Sequence, residues 1–157
     1  MDLQKLKSIP LSKFNEIRPH AVGWYEGHLV SFSLEQKKGK ADDAEEFVEV
    51  TLNFTAENPL EAQPMEHVSP NRRYPLRVRI FKEEDTSRII GIGKTLRPDV
   101  LSPIELQEKG EDGGNIESYL EAMVNAPARV QLAEDEWFKE KRDQSVLVVK
   151  TVRKAAA

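Results

Sequence analysis

The chain has 157 residues, a length that favours one domain with one sizeable hydrophobic core. It carries 23 basic and 27 acidic side chains, and the formal charge of −4 excludes a protein that binds nucleic acid through bulk positive charge. The absence of cysteine excludes a disulfide framework, a thiol nucleophile and a cysteine-bound zinc site. No signal peptide is recognisable and no run approaches the ~18 apolar residues needed to cross a bilayer, so we expect a cytoplasmic protein without membrane contact.

The beginning of the chain predicts a partly ordered N-terminal arm over residues 1–21. Pro10 and Pro19 disfavour a long helix there, and we expect the few apolar side chains of the arm to dock on the domain. The domain itself is expected over residues 22–154, followed by a tail at residues 155–157.

Alternation of apolar and polar residues predicts three strands in the first half of the chain. The first strand begins at Trp24 and ends in the turn-rich run 37–43. The second strand covers residues 47–55 and the third covers residues 73–82. Between the second and third strands, residues 58–71 contain three prolines and predict an extended loop, which is either a clamp for a ligand or a disordered insertion.

Two helices and two strands are predicted in the second half. A short helix is expected over residues 88–96, and apolar residues at helical spacing predict an amphipathic helix over residues 116–124. Further strands are expected over residues 128–132 and 146–152, joined by the charged connection 134–143. This order predicts a mainly β fold, a small five-stranded barrel with a helix between the third and fourth strands.

Motifs for enzyme chemistry are weak or missing. Residues 91–95, Gly-Ile-Gly-Lys-Thr, resemble the end of a phosphate-binding loop, but Arg88 occupies the position of its first glycine. None of the three histidines has a partner at metal-ligand spacing, and no nucleophile motif is recognisable. We therefore expect a protein that is not an enzyme and that uses neither a cofactor nor a metal ion.

The outward side of the third strand is the strongest functional signal. Four of its residues alternate with an apolar inward set: Arg73, Arg77, Arg79 and Phe81. Residues 70–100 hold eight basic and four acidic residues, a balance of +4, whereas residues 101–145 have a balance of −6. Guanidinium groups neutralise phosphates and an aromatic ring stacks on a base for ~1–3 kcal/mol, so this pattern favours a single-stranded nucleic acid ligand.

Further residues extend this candidate interface. Arg72 precedes the third strand and Lys82 ends it. Tyr25 and Phe47 are candidate stacking rings, and Arg129 points outward from the fourth strand. One alternative is that the arginines pair across strands with glutamates such as Glu49. A second is a phage structural or protein-interaction barrel, a virion component or host-protein inhibitor, that binds no nucleic acid.

Several segments resemble the small single-stranded-DNA-binding proteins of bacteriophages, which have the oligonucleotide/oligosaccharide-binding (OB) barrel. The segments are GWYEGHLV at 23–30, FVEVTLNF at 47–54, APARVQL at 126–132 and VVKTV at 148–152. The resemblance implies a protein that coats single-stranded DNA during phage replication or recombination in the cytoplasm of the host. It also implies phage or host replication proteins as partners, and it leaves a homodimer open.

Overall fold

The computed structural model of the protein describes residues 1–9, 22–41, 43–60, 72–111, 114–143 and 146–155. The strands are β1 (Gly23–Lys38), β2 (Glu46–Phe54), β3 (Asn58–Pro59), β4 (Tyr74–Ile80), β5 (Pro127–Glu134) and β6 (Leu147–Lys154). The helices are α1 (Leu3–Ser8), α2 (Thr86–Leu96), α3 (Pro103–Glu108), α4 (Ile116–Met123) and α5 (Glu136–Arg142). Strands hold 39% of the described residues and helices 32%, which confirms the predicted mainly β class.

The strands form one curled antiparallel sheet. The five long strands follow the order β4-β2-β1-β5-β6, and the short β3 pairs with β1. The two outer strands of this order, β4 and β6, approach each other, so the sheet curls into an OB-like barrel. The predicted five strands are all present, and β3 is an addition at the start of the predicted loop 58–71.

Strand β1 is the central element because it pairs with β5 through its first half and with β2 through its second half. The register against β2 shifts by one residue between Leu29 and Ser31, which is a β-bulge at Val30. Before the bulge Tyr25 and Leu29 are fully buried, and after it Phe32 packs against the core. The inward side of β1 therefore changes from odd to even positions, which a single alternation cannot describe.

The predicted alternation of β2 and β4 is confirmed. The side chains of β2 that enter the barrel include Leu52 and Phe54, and those of β4 include Tyr74 and Leu76, all at most 2% exposed. Helices α2 and α4 cover the core with a further apolar set: Ile89, Leu96, Tyr119, Leu120 and Met123. The predicted helix 116–124 thus corresponds to α4, with its apolar stripe on the barrel.

The sequence did not predict α3 or α5. Neither helix contains a buried residue, so neither shows the apolar stripe from which helices are recognised. Their start is set by capping instead. The side chain of Ser102 accepts a hydrogen bond from the amide of Glu105, and Asp135 accepts hydrogen bonds from the amides of Trp137 and Phe138. As a result, most of the predicted charged connection 134–143 is helical.

The expectation that the N-terminal arm docks apolar side chains is wrong for α1, because Leu3 and Leu6 are 62% and 49% exposed. The remainder of the arm (residues 10–21), residues 61–71 of the predicted loop and residues 156–157 of the tail lie outside the described residues. Within the part of the chain that the structure places, no helix is both long and apolar enough to cross a membrane.

The phosphate-loop-like segment 91–95 lies inside α2, where Gly93 has a packing role. A Cβ at position 93 would lie 2.5 Å from the Tyr119 ring and hydroxyl, whereas a Cβ at Gly91 would meet nothing within 4 Å. The lack of a side chain at Gly93 therefore allows α4 to pack closely against α2.

The two glycines provide a matched pair of stability variants. Gly91→Ala should stabilise the protein by up to ~1 kcal/mol through better helix propensity, since the site is open. Gly93→Ala should destabilise it by roughly 1–3 kcal/mol, because the added methyl group overlaps Tyr119. Urea denaturation of both variants measures the difference. Equal stabilisation by the two substitutions would contradict the close packing of α2 on α4.

Candidate nucleic-acid interface

The outward side chains of β1, β2 and β4 form one continuous surface. The strand register places Glu49 opposite Arg79 on β4, and it places Phe47 opposite Lys37 on β1. Phe81 follows directly after the end of β4. We call this surface the arginine–phenylalanine face, and its members are Lys37, Phe47, Glu49, Arg77, Arg79 and Phe81.

Two aromatic rings lie at one end of this face. The rings of Phe47 and Phe81 have centroids 5.0 Å apart at an interplanar angle of 36°, and Phe81 is 48% exposed. The guanidinium carbon of Arg79 lies 5.2 Å from the centroid of the Phe47 ring. The guanidinium group and the two rings therefore form a contiguous surface of the kind on which nucleic-acid bases stack.

Glu49 lies at the centre of the face and is only 6% exposed. Its carboxylate accepts a hydrogen bond from Lys37 Nζ at 2.8 Å, and the Nε atoms of Arg77 and Arg79 lie 3.9 Å and 3.7 Å from its oxygens. Three cations thus compensate for the desolvation of one carboxylate. The alternative in which the arginines pair with Glu49 across the strands is confirmed as a structural arrangement.

The contacts of Glu49 with the arginines differ from its contact with Lys37. The lysine forms a charge-assisted hydrogen bond, which with the charge of Glu49 raises the pKa of Lys37 above its usual 10.5. The arginine Nε atoms lie farther away than a hydrogen bond allows, and the side chains of Arg77 and Arg79 remain 45% and 64% exposed. Glu49 therefore orients the two guanidinium groups by charge while leaving them accessible to another anion.

A groove of about 640 Å³ continues from the face into the gap between β4 and β6. Its lining is mixed in charge and includes Arg77, Arg79, Arg88, Glu84, Asp85 and Asp135. Two of the carboxylates already serve the backbone. Asp85 accepts hydrogen bonds from the amides of Phe81 and Lys82, and Asp135 caps α5. The groove thus combines arginines with anions that hold the surrounding turns.

Three further predicted residues flank β4, two of them at the end opposite to Phe81 and one beside Phe81. Arg72 and Arg73 are exposed and precede β4, at the end opposite to Phe81 and some ~25 Å from it along the strand. The guanidinium carbon of Arg72 lies 5.8 Å from the Tyr74 ring centroid. Lys82 is exposed beside Phe81. Together these residues extend a basic line along β4.

Two predicted site residues do not belong to this face. Tyr25 is fully buried in the core, so its ring cannot stack on a base, and the prediction that it does so is wrong. It faces inward because it precedes the bulge of β1. Arg129 lies on β5, opposite Glu26 on β1 and Arg153 on β6, and β1 separates it from β2. The fold therefore does not bring Arg129 to the arginine–phenylalanine face.

His28 contacts two side chains of the segment that follows β2, which favours a structural role. Its Nδ1 atom lies 2.7 Å from a carboxylate oxygen of Glu57 and 3.1 Å from the hydroxyl of Thr55, which is itself buried. These contacts connect β1 to the segment after β2. Across the described ranges, no group of three or more histidine and carboxylate side chains could hold a metal ion.

The sequence interpretation missed Lys37 as a member of the face, since it was assigned to a turn. The signal was present in the hairpin register, because pairing Leu34 with Val50 places Lys37 beside Phe47. Comparison with known proteins adds no relative, since no protein-family model and no curated protein matches the chain significantly. The candidate site therefore rests on its own geometry.

Glu49→Gln should change both the stability of the protein and the titration of Lys37. Loss of the carboxylate leaves three cations close together, and we expect a destabilisation of roughly 1–3 kcal/mol, less than for a fully buried pair because the cations are exposed. Lysine titration by NMR should show a pKa above 10.5 in the native protein and a lower value in the variant. Because the folded-state pKa is raised, this stabilisation is complete below about pH 10.5 and is lost as the pH rises through the folded-state value.

The matched control is Glu46→Gln, an exposed position on the same strand that should alter stability by less than ~0.5 kcal/mol. Equal effects of the two substitutions would show that Glu49 does not organise the cations.

Proposed function

We propose that the protein binds single-stranded DNA through the arginine–phenylalanine face, with little sequence preference, and coats it during phage replication or recombination. The observation that carries the proposal is the Phe47–Phe81 ring pair, of which Phe81 is exposed and Phe47 partly exposed, beside two accessible arginines. Bases stack on aromatic rings whatever their identity, and guanidinium groups neutralise the phosphates between them. The combination suits an unpaired strand, because in a duplex the faces of the bases are already stacked.

The position of the face within the fold supports the same proposal. In OB barrels the second and third strands provide the surface that binds oligonucleotides, helped by the loops at its ends. Here β2 and β4 are the second and third long strands, and they carry both phenylalanines and both arginines or lie next to them. The groove between β4 and β6 offers a path for the backbone beyond the ring pair.

The charge distribution predicts how the protein would bind. The balance of +4 over residues 70–100 attracts phosphates, whereas Glu49 competes with them for the same arginines. Binding should therefore be moderate in affinity and strongly weakened by salt, because each phosphate contact releases condensed counterions. The balance of −6 over residues 101–145 disfavours contacts of that segment with phosphates.

The Glu49 cluster also favours a second candidate, a phage structural or protein-interaction role without nucleic acid. Arginines that are already balanced by a carboxylate need no phosphate, and exposed aromatic and arginine side chains are frequent at the centres of protein interfaces. This candidate predicts a defined oligomer or complex with the face covered. Light scattering at increasing protein concentration, with and without oligo-dT, distinguishes it from the DNA-binding proposal.

Removal of the arginines should weaken binding in proportion to their charge. Fluorescence anisotropy with labelled dT20 should show salt-sensitive binding by the native protein. Arg77→Gln with Arg79→Gln should weaken it at least ~10-fold at low salt and reduce the salt slope by about 1.4, or 0.7 for each lost phosphate contact. Lys109→Gln, at the residue that follows α3, removes one exposed charge outside the arginine–phenylalanine face and should have little effect. No binding by the native protein at micromolar concentration and low salt would refute the proposal.

Substitutions of the rings should act differently from those of the arginines. Phe47→Ala with Phe81→Ala should cost roughly 1–3 kcal/mol for each stacked base and leave the salt slope unchanged. Glu49→Gln should instead tighten binding and steepen the slope, since the phosphate no longer competes with a carboxylate. Anisotropy at several salt concentrations measures both quantities, and weaker binding by Glu49→Gln would mean that the arginines must be held by Glu49.

A further inference from the structure

A second combination of an aromatic ring with arginines lies on the outer side of β1, β5 and β6. The register aligns Glu26, Arg129 and Arg153 in one row across the three strands. The next row on the same side contains Trp24, opposite Gln131 on β5. We call the three residues Trp24, Arg129 and Arg153 the tryptophan surface. It uses none of the members of the arginine–phenylalanine face.

Arg153 and Trp24 form a cation–π pair. The guanidinium carbon of Arg153 lies 4.5 Å from the centroid of the Trp24 ring, the shortest of the guanidinium–ring distances described for this protein. Arg153 is exposed and Trp24 is partly exposed. A guanidinium plane supported by an indole ring is a rigid platform on which a base can stack, and it retains donors at its edge for a phosphate.

Arg129 is the unexplained residue of this surface. Its Nε atom is buried and has no hydrogen-bond partner among the described residues. An unpaired buried donor is costly, and the Arg129 side chain as a whole is only partly buried, so an anion can approach its guanidinium group and offset that cost. Arg153 lies directly opposite on β6, so the two side chains place positive charge from adjacent strands beside one another.

We propose that the tryptophan surface is a second contact site for single-stranded DNA. A phosphate is bound between Arg129 and Arg153, and an adjoining base stacks on the Arg153–Trp24 pair. The exposed side chains of Lys150 and Lys154 on β6 add positive charge nearby, while Glu26 limits the attraction on the side of β1. The identity of the ligand rests on the proposed function, but the residues that bind it are not members of the arginine–phenylalanine face.

The separation of the two surfaces gives this second contact a specific consequence. In the sheet order β1 lies between β2 and β5, so the two sites lie on different parts of the outer surface of the curled sheet. One strand can reach both only by passing around the barrel, and two short strands can bind at the same time. The second site should therefore bind a short oligonucleotide even when the first has been disabled.

Tryptophan fluorescence tests the second site directly. The chain has two tryptophans, so Trp137→Phe leaves Trp24 as the sole indole. Titration of this protein with unlabelled dT20 at low salt should quench Trp24 fluorescence. The quenching should persist when Arg77→Gln and Arg79→Gln are added. When Arg129→Gln and Arg153→Gln are added instead, the affinity obtained from the quenching should fall at least ~10-fold. Lys109→Gln is the matched control and should leave the titration unchanged.

The outcomes separate the two proposals. Binding of labelled dT20 without any change in Trp24 fluorescence would overturn the second site and leave the proposed function intact. Loss of quenching in the Arg77→Gln and Arg79→Gln protein would also overturn it, since Trp24 would then report only the first face. Absence of both binding and quenching would refute both proposals. Thermal melting checks that each variant is folded. If the Arg129→Gln and Arg153→Gln protein does not fold, the proteins that retain Arg129 and Arg153 test the proposal, because the presence or absence of Trp24 quenching in them supports or overturns the second site.

Discussion

The pairing of one long strand with two partners determines the remainder of this structure. Strand β1 bonds to β5 through residues 23–28 and to β2 through residues 29–38, so every other long strand is placed relative to it. The bulge at Val30 makes this double role feasible, because it adds twist and turns the strand so that both halves bury their apolar side. Without the bulge, either Tyr25 or Phe32 would point to solvent.

The same bulge determines which side chains share the arginine–phenylalanine face. It directs Lys37 outward beside β2, where its amine completes the set of cations around Glu49. A carboxylate that is buried by its own counterions has two consequences. It orients the arginines by charge, and it offsets part of the positive charge of the face. A protein with a net charge of −4 can therefore present a local cationic surface without strong nonspecific attraction.

The sequence correctly predicted which side chains face the core where a single hydrophobic period holds along a whole strand or helix. The alternation of β4 correctly directs Arg77 and Arg79 outward, and the stripe of α4 correctly faces the core. The sequence did not predict orientation, burial or helix formation where these depend on a neighbouring strand or on a helix cap. The bulge inverted the orientation of Tyr25, the burial of Glu49 depends on side chains from two other strands, and α5 depends on its cap rather than on an apolar stripe.

The outer strands have a further property that follows from their composition. Among the residues that the structure describes, β4 and β6 each pair on one side only, and an unpaired strand edge can recruit the same edge of another molecule into an aggregate. Pro75 removes one amide donor from β4, while charged side chains such as Arg79 on β4 and Lys154 on β6 repel a second copy. These features make both edges poor templates for strand addition by a second copy.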